Sequence, residues 1–189
     1  DMAIQLANLR AGKIHAMSGM DKSLFRKAKR DKRFNISARP LPATQMLVIN
    51  HNNAALKDVR VRRAISLAID RKALVHGIHF GLADPATSFF PHDHWARNKT
   101  MPPWEYNPEK AKALLAEAGY KDGLTLNQGI VVDFFGLTRI AEPIKAMLSK
   151  VGIQWKTQVL TMGAASDRLS NLEYDLSTTS LGIHTPQTY

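Results

Sequence analysis

Residues 57–74 read KDVRVRRAISLAIDRKAL, and their reading decides how the rest of the chain can fold. Asp58 is a strong helix N-cap, because a short carboxylate accepts from N–H groups that the first turn leaves unpaired. Val61, Ile65, Ala68 and Ile69 then recur at three- and four-residue steps, which places them on one face of a helix. Arg60, Arg62 and Arg63 crowd the first turns on the other side, where the helix dipole disfavours cations. Asp70 repeats the capping device for a second helix over residues 71–75, and His76-Gly77 is its stop. Two capped helices in tandem make a compact unit on which other elements can pack.

Downstream, residues 77–108 form a long irregular stretch with five prolines and the run Ser88-Phe89-Phe90-Pro91-His92-Asp93-His94-Trp95. Loops of this length inside a domain tend to be functional or to wrap around it. Asn107-Pro108-Glu109 opens the clearest helix: Asn caps, Pro takes the first helical position, and Glu sits at the positive end. Leu114, Leu115 and Ala118 form its inner face, and Gly119 ends it. Residues 124–132 read as a strand. A helix follows over 138–150, with Ile140, Ile144, Met147 and Leu148 inward; Pro143 implies a kink or a later start. Residues 153–160 are a strand, 162–172 a helix and 174–180 a last strand. This alternation predicts an α/β layer with a largely parallel sheet.

Upstream, residues 1–12 predict an amphipathic helix with Ile4, Leu6, Ala7 and Leu9 apolar. Residues 13–17 suggest a short strand, 21–30 a basic helix capped by Asp21, and 34–39 a half-buried strand broken by Pro40 and Pro42. The run QMLVIN, residues 45–50, is continuously apolar, as in a strand covered on both faces.

A length of 189 residues suits one sizeable domain or two small ones, and 44% hydrophobic content is ordinary for a globular protein. No apolar run is long enough to span a bilayer, and the start carries no signal-peptide pattern. The chain therefore lives in the cytosol or begins partway through a longer precursor. The absence of Cys excludes disulfides and thiolate chemistry. The net charge of +10 raises the question of a nucleic acid or an anionic surface. The densest block, residues 22–33, holds seven basic residues, yet Leu24, Phe25 and Ala28 within it sit at helical spacing, as in a surface helix with a solvated basic face. No RNA-type aromatic motif, helix-turn-helix signature, P-loop or dinucleotide fingerprint accompanies it. His92-x-His94 beside Asp93 offers two metal-ligand types without a third or fourth in view, so no metal or cofactor is expected. No nucleophile elbow occurs, and Asp133, Glu142, Asp167, Glu173 and Asp175 all fit caps or solvated faces. Three function classes remain: a binding module, a basic nucleic-acid-binding domain, and an enzyme built on His92 and His94. Nothing in the residues demands the enzyme.

Three stretches carry a resemblance: LVIN with residues 57–74, YNPEKAKALLAEAGYKDG over 106–123, and RIAEPIKAMLSKVGI over 139–153. In order and spacing they resemble the family-5 extracellular solute-binding proteins of ABC importers, which include dipeptide-, oligopeptide- and nickel-binding proteins. LRAGKIHA over residues 9–16 is similar to another segment of that family, with His15 where aspartate is usual, as is LEYDLSTTSLGIHTPQTY over 172–189. The resemblance implies a periplasmic-binding-protein-like (type II) α/β fold, with a mixed, mostly parallel sheet flanked by helices. It implies that residues 1–189 are one lobe, the second ligand-binding lobe of a two-lobed protein, with the other lobe absent. The implied role is the substrate-binding component of an ABC importer. Such a component captures a peptide-like or other small solute between two lobes and delivers it to the membrane permease. The implied location is periplasmic, or extracellular and membrane-anchored; the implied protein is a monomer with no cofactor and no nucleic-acid partner.

In open α/β folds ligands gather at the carboxyl ends of strands. That points to Asp133, Phe134 and Phe135 after one strand, and to Ser180, Leu181, Gly182, Ile183 and His184 at the end of the last. Trp95, in the long loop, is a third candidate. Peptide binders of the family carry aspartate in the loop after the last strand, but GIHTPQTY here has no acid, and His184 stands near that place. Dipeptide binders carry an arginine in the preceding loop, which here reads VDFFGLT, with Arg139 beyond it. A dipeptide's two charges would lack partners, and unpaired buried charge is costly. Phe134 and Phe135 suit an apolar or ring-bearing solute instead.

Overall fold

The computed structural model describes residues 2–19, 22–37, 43–90, 94–134 and 136–182. In chain order their elements are α1 (Met2–Arg10), α2 (Lys22–Lys29), β1 (Ala43–Ile49), α3 (Ala54–Lys57), α4 (Val59–Ala68) and α5 (Arg71–Gly77). After the long loop come α6 (Pro108–Glu117), β2 (Leu124–Val132), α7 (Leu137–Ser149), β3 (Ile153–Leu160), α8 (Met162–Ser170) and β4 (Leu176–Gly182).

The tandem caps form as their spacing predicts. Asp58 accepts from the Arg60 N–H and Asp70 from the Ala73 N–H, and Val61, Ala64, Ile65 and Ala68 are the buried stripe of α4. The arginines that α4's own dipole disfavours are used by its neighbours. Arg60 chelates Asp58 and donates to the Glu117 carbonyl at the end of α6, 2.8 Å away. Arg62 donates to the Leu56 and Lys57 carbonyls at the end of α3, at 2.8 and 2.7 Å. Each guanidinium thus satisfies orphan carbonyls where a cation is favoured. The Asn107 N–H bonds the Leu67 carbonyl, so α6 starts where α4 ends and the two helices run antiparallel. Ala111 and Leu115 of α6 are buried; Ala64, Ala68 and Ala111 keep the pair close.

The sheet has the order β1-β4-β2-β3. β2 is parallel to both β3 and β4, and β1 is antiparallel to β4. A bulge lies between Leu126 and Gly129 of β2. There the indole of Trp155 on β3 crosses over Gly129 and donates to the Leu176 carbonyl of β4, 3.2 Å away. Glycine is required at that crossing: a methyl on Gly129 would collide with Trp155 Nε1 and the Lys156 carbonyl oxygen. α7 covers the sheet with Leu137, Ile140, Ala141, Ile144 and Leu148. One core joins these to α4, α6 and the strands.

Several expectations need correction. QMLVIN lies at the edge of the sheet: β1 is half-buried along its length, buried outright at Thr44, with Leu47, Val48 and Ile49, which alternate between the faces, packed against the core. Residues 13–17 and 34–37 form no strand, and among the described residues no strand pairs with them; residues 38–39 lie outside the described residues. α3 was not foreseen; the Asn53 side chain caps its single turn. α7 starts earlier than expected and runs through Pro143, its five buried residues offsetting the one hydrogen bond that proline forgoes. The cap expected at Asp21 lies outside the described residues. Leu6 of α1 and Ala28 of α2 are buried but stand apart from the main core.

Candidate functional site

The three parallel strands end at one edge. Asp133 follows β2, Thr161 follows β3, and β4 ends at Leu181 and Gly182. Continuing the register of β2 with β4 brings Asp133 level with Ser180. Asp133 is exposed and its N–H bonds the Leu160 carbonyl at 2.8 Å, tying the two loops together. Phe134 closes a turn onto the Val132 carbonyl at 2.9 Å, which turns its ring outward, 38% exposed. Val159, Met162 and Leu181 are also exposed along this edge. Large apolar side chains left uncovered together mark an interaction surface. The same carboxyl-end rule, applied to β3 as well as to β2 and β4, points to Val159 and Met162.

Backbone charge adds to this edge. Asn53, Asp58, Asp70 and Asn107 cap α3 to α6 with their side chains. The two helices that open on the sheet edge differ. α7 starts from Gly136, at φ 75°, and α8 from Thr161, and neither has a side-chain cap bond. At α7 the Leu137 and Arg139 N–H groups bond the Phe134 and Gly136 carbonyls, both at 3.0 Å, so what the two starts offer an acceptor beyond the strands is chiefly the positive ends of their dipoles. Arg139, exposed on the first turn of α7, lies on the same side. Composition and spacing did not reveal this feature, although Gly136, a residue without a capping oxygen, was its one visible sign.

Of the expected site residues, Asp133, Phe134 and Ser180 come together here. Phe135 and His184 lie outside the described residues. Trp95 belongs to the long loop, 76% exposed, with its ring stacked on His94 at 5.6 Å. His94 in turn stacks on Phe90 at 4.7 Å and accepts the Ala96 N–H at Nδ1. It is a buried packing residue whose one acceptor nitrogen is used. His92 and Asp93 lie outside the described residues, and no group of three metal-ligating side chains occurs among those described.

The opposite edge of the sheet is polar. An open cavity of about 340 Å³ is lined by Asn50, Asn53, Asn127, Gln128, Tyr174 and Asp175, among others. Asn50 donates to the Leu172 and Tyr174 carbonyls at 2.9 and 2.7 Å, and Asp175 accepts from Asn53 and from the Gln128 N–H. These groups satisfy one another and fasten β1, β2 and β4, so they account for themselves structurally.

The fold and this edge define an α/β unit of the periplasmic-binding-protein-like (type II) class. DppA from Helicobacter pylori, solved in complex with the peptide STSA, superposes with a TM-score of 0.85 at 25% identity, over 98% of this chain and 36% of that one. HbpA2 from Haemophilus parasuis gives 0.80 at 30% identity, over 96% and 36%. In sequence the chain is 28% identical over 184 residues to the dipeptide-binding protein of Escherichia coli (strain K12), 92% of this chain and 33% of that protein. Heme-binding protein A of Haemophilus influenzae is 29% identical over 181 residues, 94% and 33%. Residues 1–189 match the profile described as bacterial extracellular solute-binding proteins, family 5 Middle, and the chain belongs to that family. It spans about a third of the length of these relatives.

Proposed function

We propose that the chain is part of the substrate-binding component of an ABC importer, and that residues 1–189 supply its second ligand-binding lobe. The protein takes a peptide-like or other small solute into a cleft between two lobes and presents it to permease subunits in the membrane. It works in the periplasm, or outside the cell on a membrane anchor, as a monomer. The observation that carries this reading is the convergence of three strand ends and two uncapped helix starts on one exposed apolar edge. Asp133, Phe134 and Ser180 lie on it, and Phe135, His184 and Trp95 are assigned to the same solute. Closure over the ligand lets contacts from both lobes add, and the ligand draws the open–closed equilibrium toward the closed form. The uncapped starts of α7 and α8 suit an anionic group of the solute, and Phe134 suits its apolar or ring-bearing part.

Calorimetry on the full-length protein with peptides and ring-bearing solutes tests the reading. Truncation of Phe134 to Ala is expected to weaken binding by roughly five- to thirtyfold, the loss for about 1–2 kcal/mol of apolar burial, with the melting temperature unchanged. Unaltered affinity would remove Phe134 from the site.

A further inference from the structure

We propose that the basic face of α2 and the turn after it form a docking surface for an anionic phospholipid membrane. The charge is concentrated: residues 1–37 hold nine basic and three acidic residues, a net +6 of the chain's +10. Ala28 is buried and Leu24 and Phe25 are half-buried, which turns Arg26, Lys27, Lys29 and Arg30 outward, with Lys32 and Arg33 exposed in the turn that follows. Some of these cations are engaged. Arg33 forms a two-pronged pair with Asp31, Arg10 reaches the same carboxylate at 3.4 Å, and Arg26 lies over the Phe80 ring at 5.0 Å. Lys27, Lys29, Arg30 and Lys32 have no ion pair among the described residues.

Four cations within six residues repel one another and gain from any dense array of negative charge. Phe25 is half-buried and Phe34 lies beneath Arg33. The patch therefore presents no stacking platform for single-stranded nucleic acid, and a member of an extracellular solute-binding family meets lipid headgroups rather than a duplex. A plane of phosphate headgroups needs charge density alone, and rewards each Lys or Arg near its surface. With its apolar side turned inward, α2 adsorbs without inserting. The surface does not depend on the solute site, so either can fail alone.

The test is vesicle co-sedimentation of the intact protein that carries this chain. Vesicles of phosphatidylethanolamine and phosphatidylglycerol, about 3:1, are compared with phosphatidylcholine at about 0.1 M salt. Binding is expected to the anionic vesicles only. The triple variant Lys27→Gln, Lys29→Gln, Arg30→Gln is expected to lose about a hundredfold in partition. The control triple Lys72→Gln, Lys121→Gln, Lys150→Gln removes the same charge from exposed positions elsewhere and is expected to lose far less. Equal losses in the two triples, no preference for anionic vesicles, or tighter binding to duplex DNA than to vesicles at the same salt would each overturn the proposal. Solute affinity measured on the same variants stays at the wild-type value.

Discussion

Replacing Gly129 by alanine tests the packing that sets the direction of β2. Gly129 is buried where the Trp155 indole passes from β3 to the Leu176 carbonyl of β4. A methyl group would strike Trp155 Nε1 and the Lys156 carbonyl oxygen and lie 2.8 Å from Trp155 Cδ1. The indole cannot retreat without breaking its own hydrogen bond, and the carbonyl is backbone. Overpacking of this kind costs about 1–3 kcal/mol, and stranding a buried N–H and its carbonyl adds about 1–3 kcal/mol. The sum is about 2–6 kcal/mol, which for a chain of this length lowers the melting temperature by roughly 4–24 °C. Thermal unfolding followed by circular dichroism and by tryptophan fluorescence measures it. In a Trp155→Leu background the same substitution should cost less than half as much, because one of its two obstacles has gone. A melting temperature within about 2 °C of wild type, or strictly additive effects of the two substitutions, would refute the reasoning.

Four further outcomes are expected. Asn50→Ala orphans the Leu172 and Tyr174 carbonyls and the Asn52 N–H; urea unfolding should show a loss of about 2–4 kcal/mol. Asn107→Ala removes the bond that caps α6 at Lys110 and should cost about 1 kcal/mol by the same measurement. Arg60 holds the Asp58 carboxyl below its usual range, chiefly through their side-chain hydrogen bonds. A depressed folded-state pKa gives stability that is full above the unfolded value and lost as pH falls through the folded one. The gap in stability between wild type and Asp58→Asn should therefore be constant above about pH 5 and shrink below about pH 4. A gap that widened toward low pH would contradict the pairing. Residues 1–189 expressed alone should bind solute far more weakly than the full-length protein, and micromolar binding in calorimetry would count against the two-lobe reading.

The elements that were legible from sequence are those with a local chemical cause. Asp58, Asp70 and Asn107 announced their helices because a capping oxygen acts within three residues. β2 and β3 fall where Gly123 and Gly152, at φ 109° and 90°, release the chain into them. What stayed hidden depends on distant partners. An apolar run such as QMLVIN reads alike whether its strand is central or at an edge, and only β4, more than a hundred residues later, decides that. Residues 13–17 suggest a strand but have no strand to pair with among the described residues. The use of Arg60 and Arg62 was equally hidden, since their acceptors belong to other helices. At the candidate site, the strand-end rule located Asp133, Phe134 and Ser180. The exposed Val159 and Met162 needed the sheet order, and the starts of α7 and α8 without a side-chain cap are a feature that no residue type announces.

Ala43 and Gly182 face each other across the first rung of the β1–β4 ladder. The backbone therefore enters and leaves the sheet at a single threshold. The line through that facing pair is an axis lying at one end of the sheet. The apolar edge sits beside that axis. A modest rotation there sweeps its side chains through a short arc, while the far, amide-lined rim travels much farther.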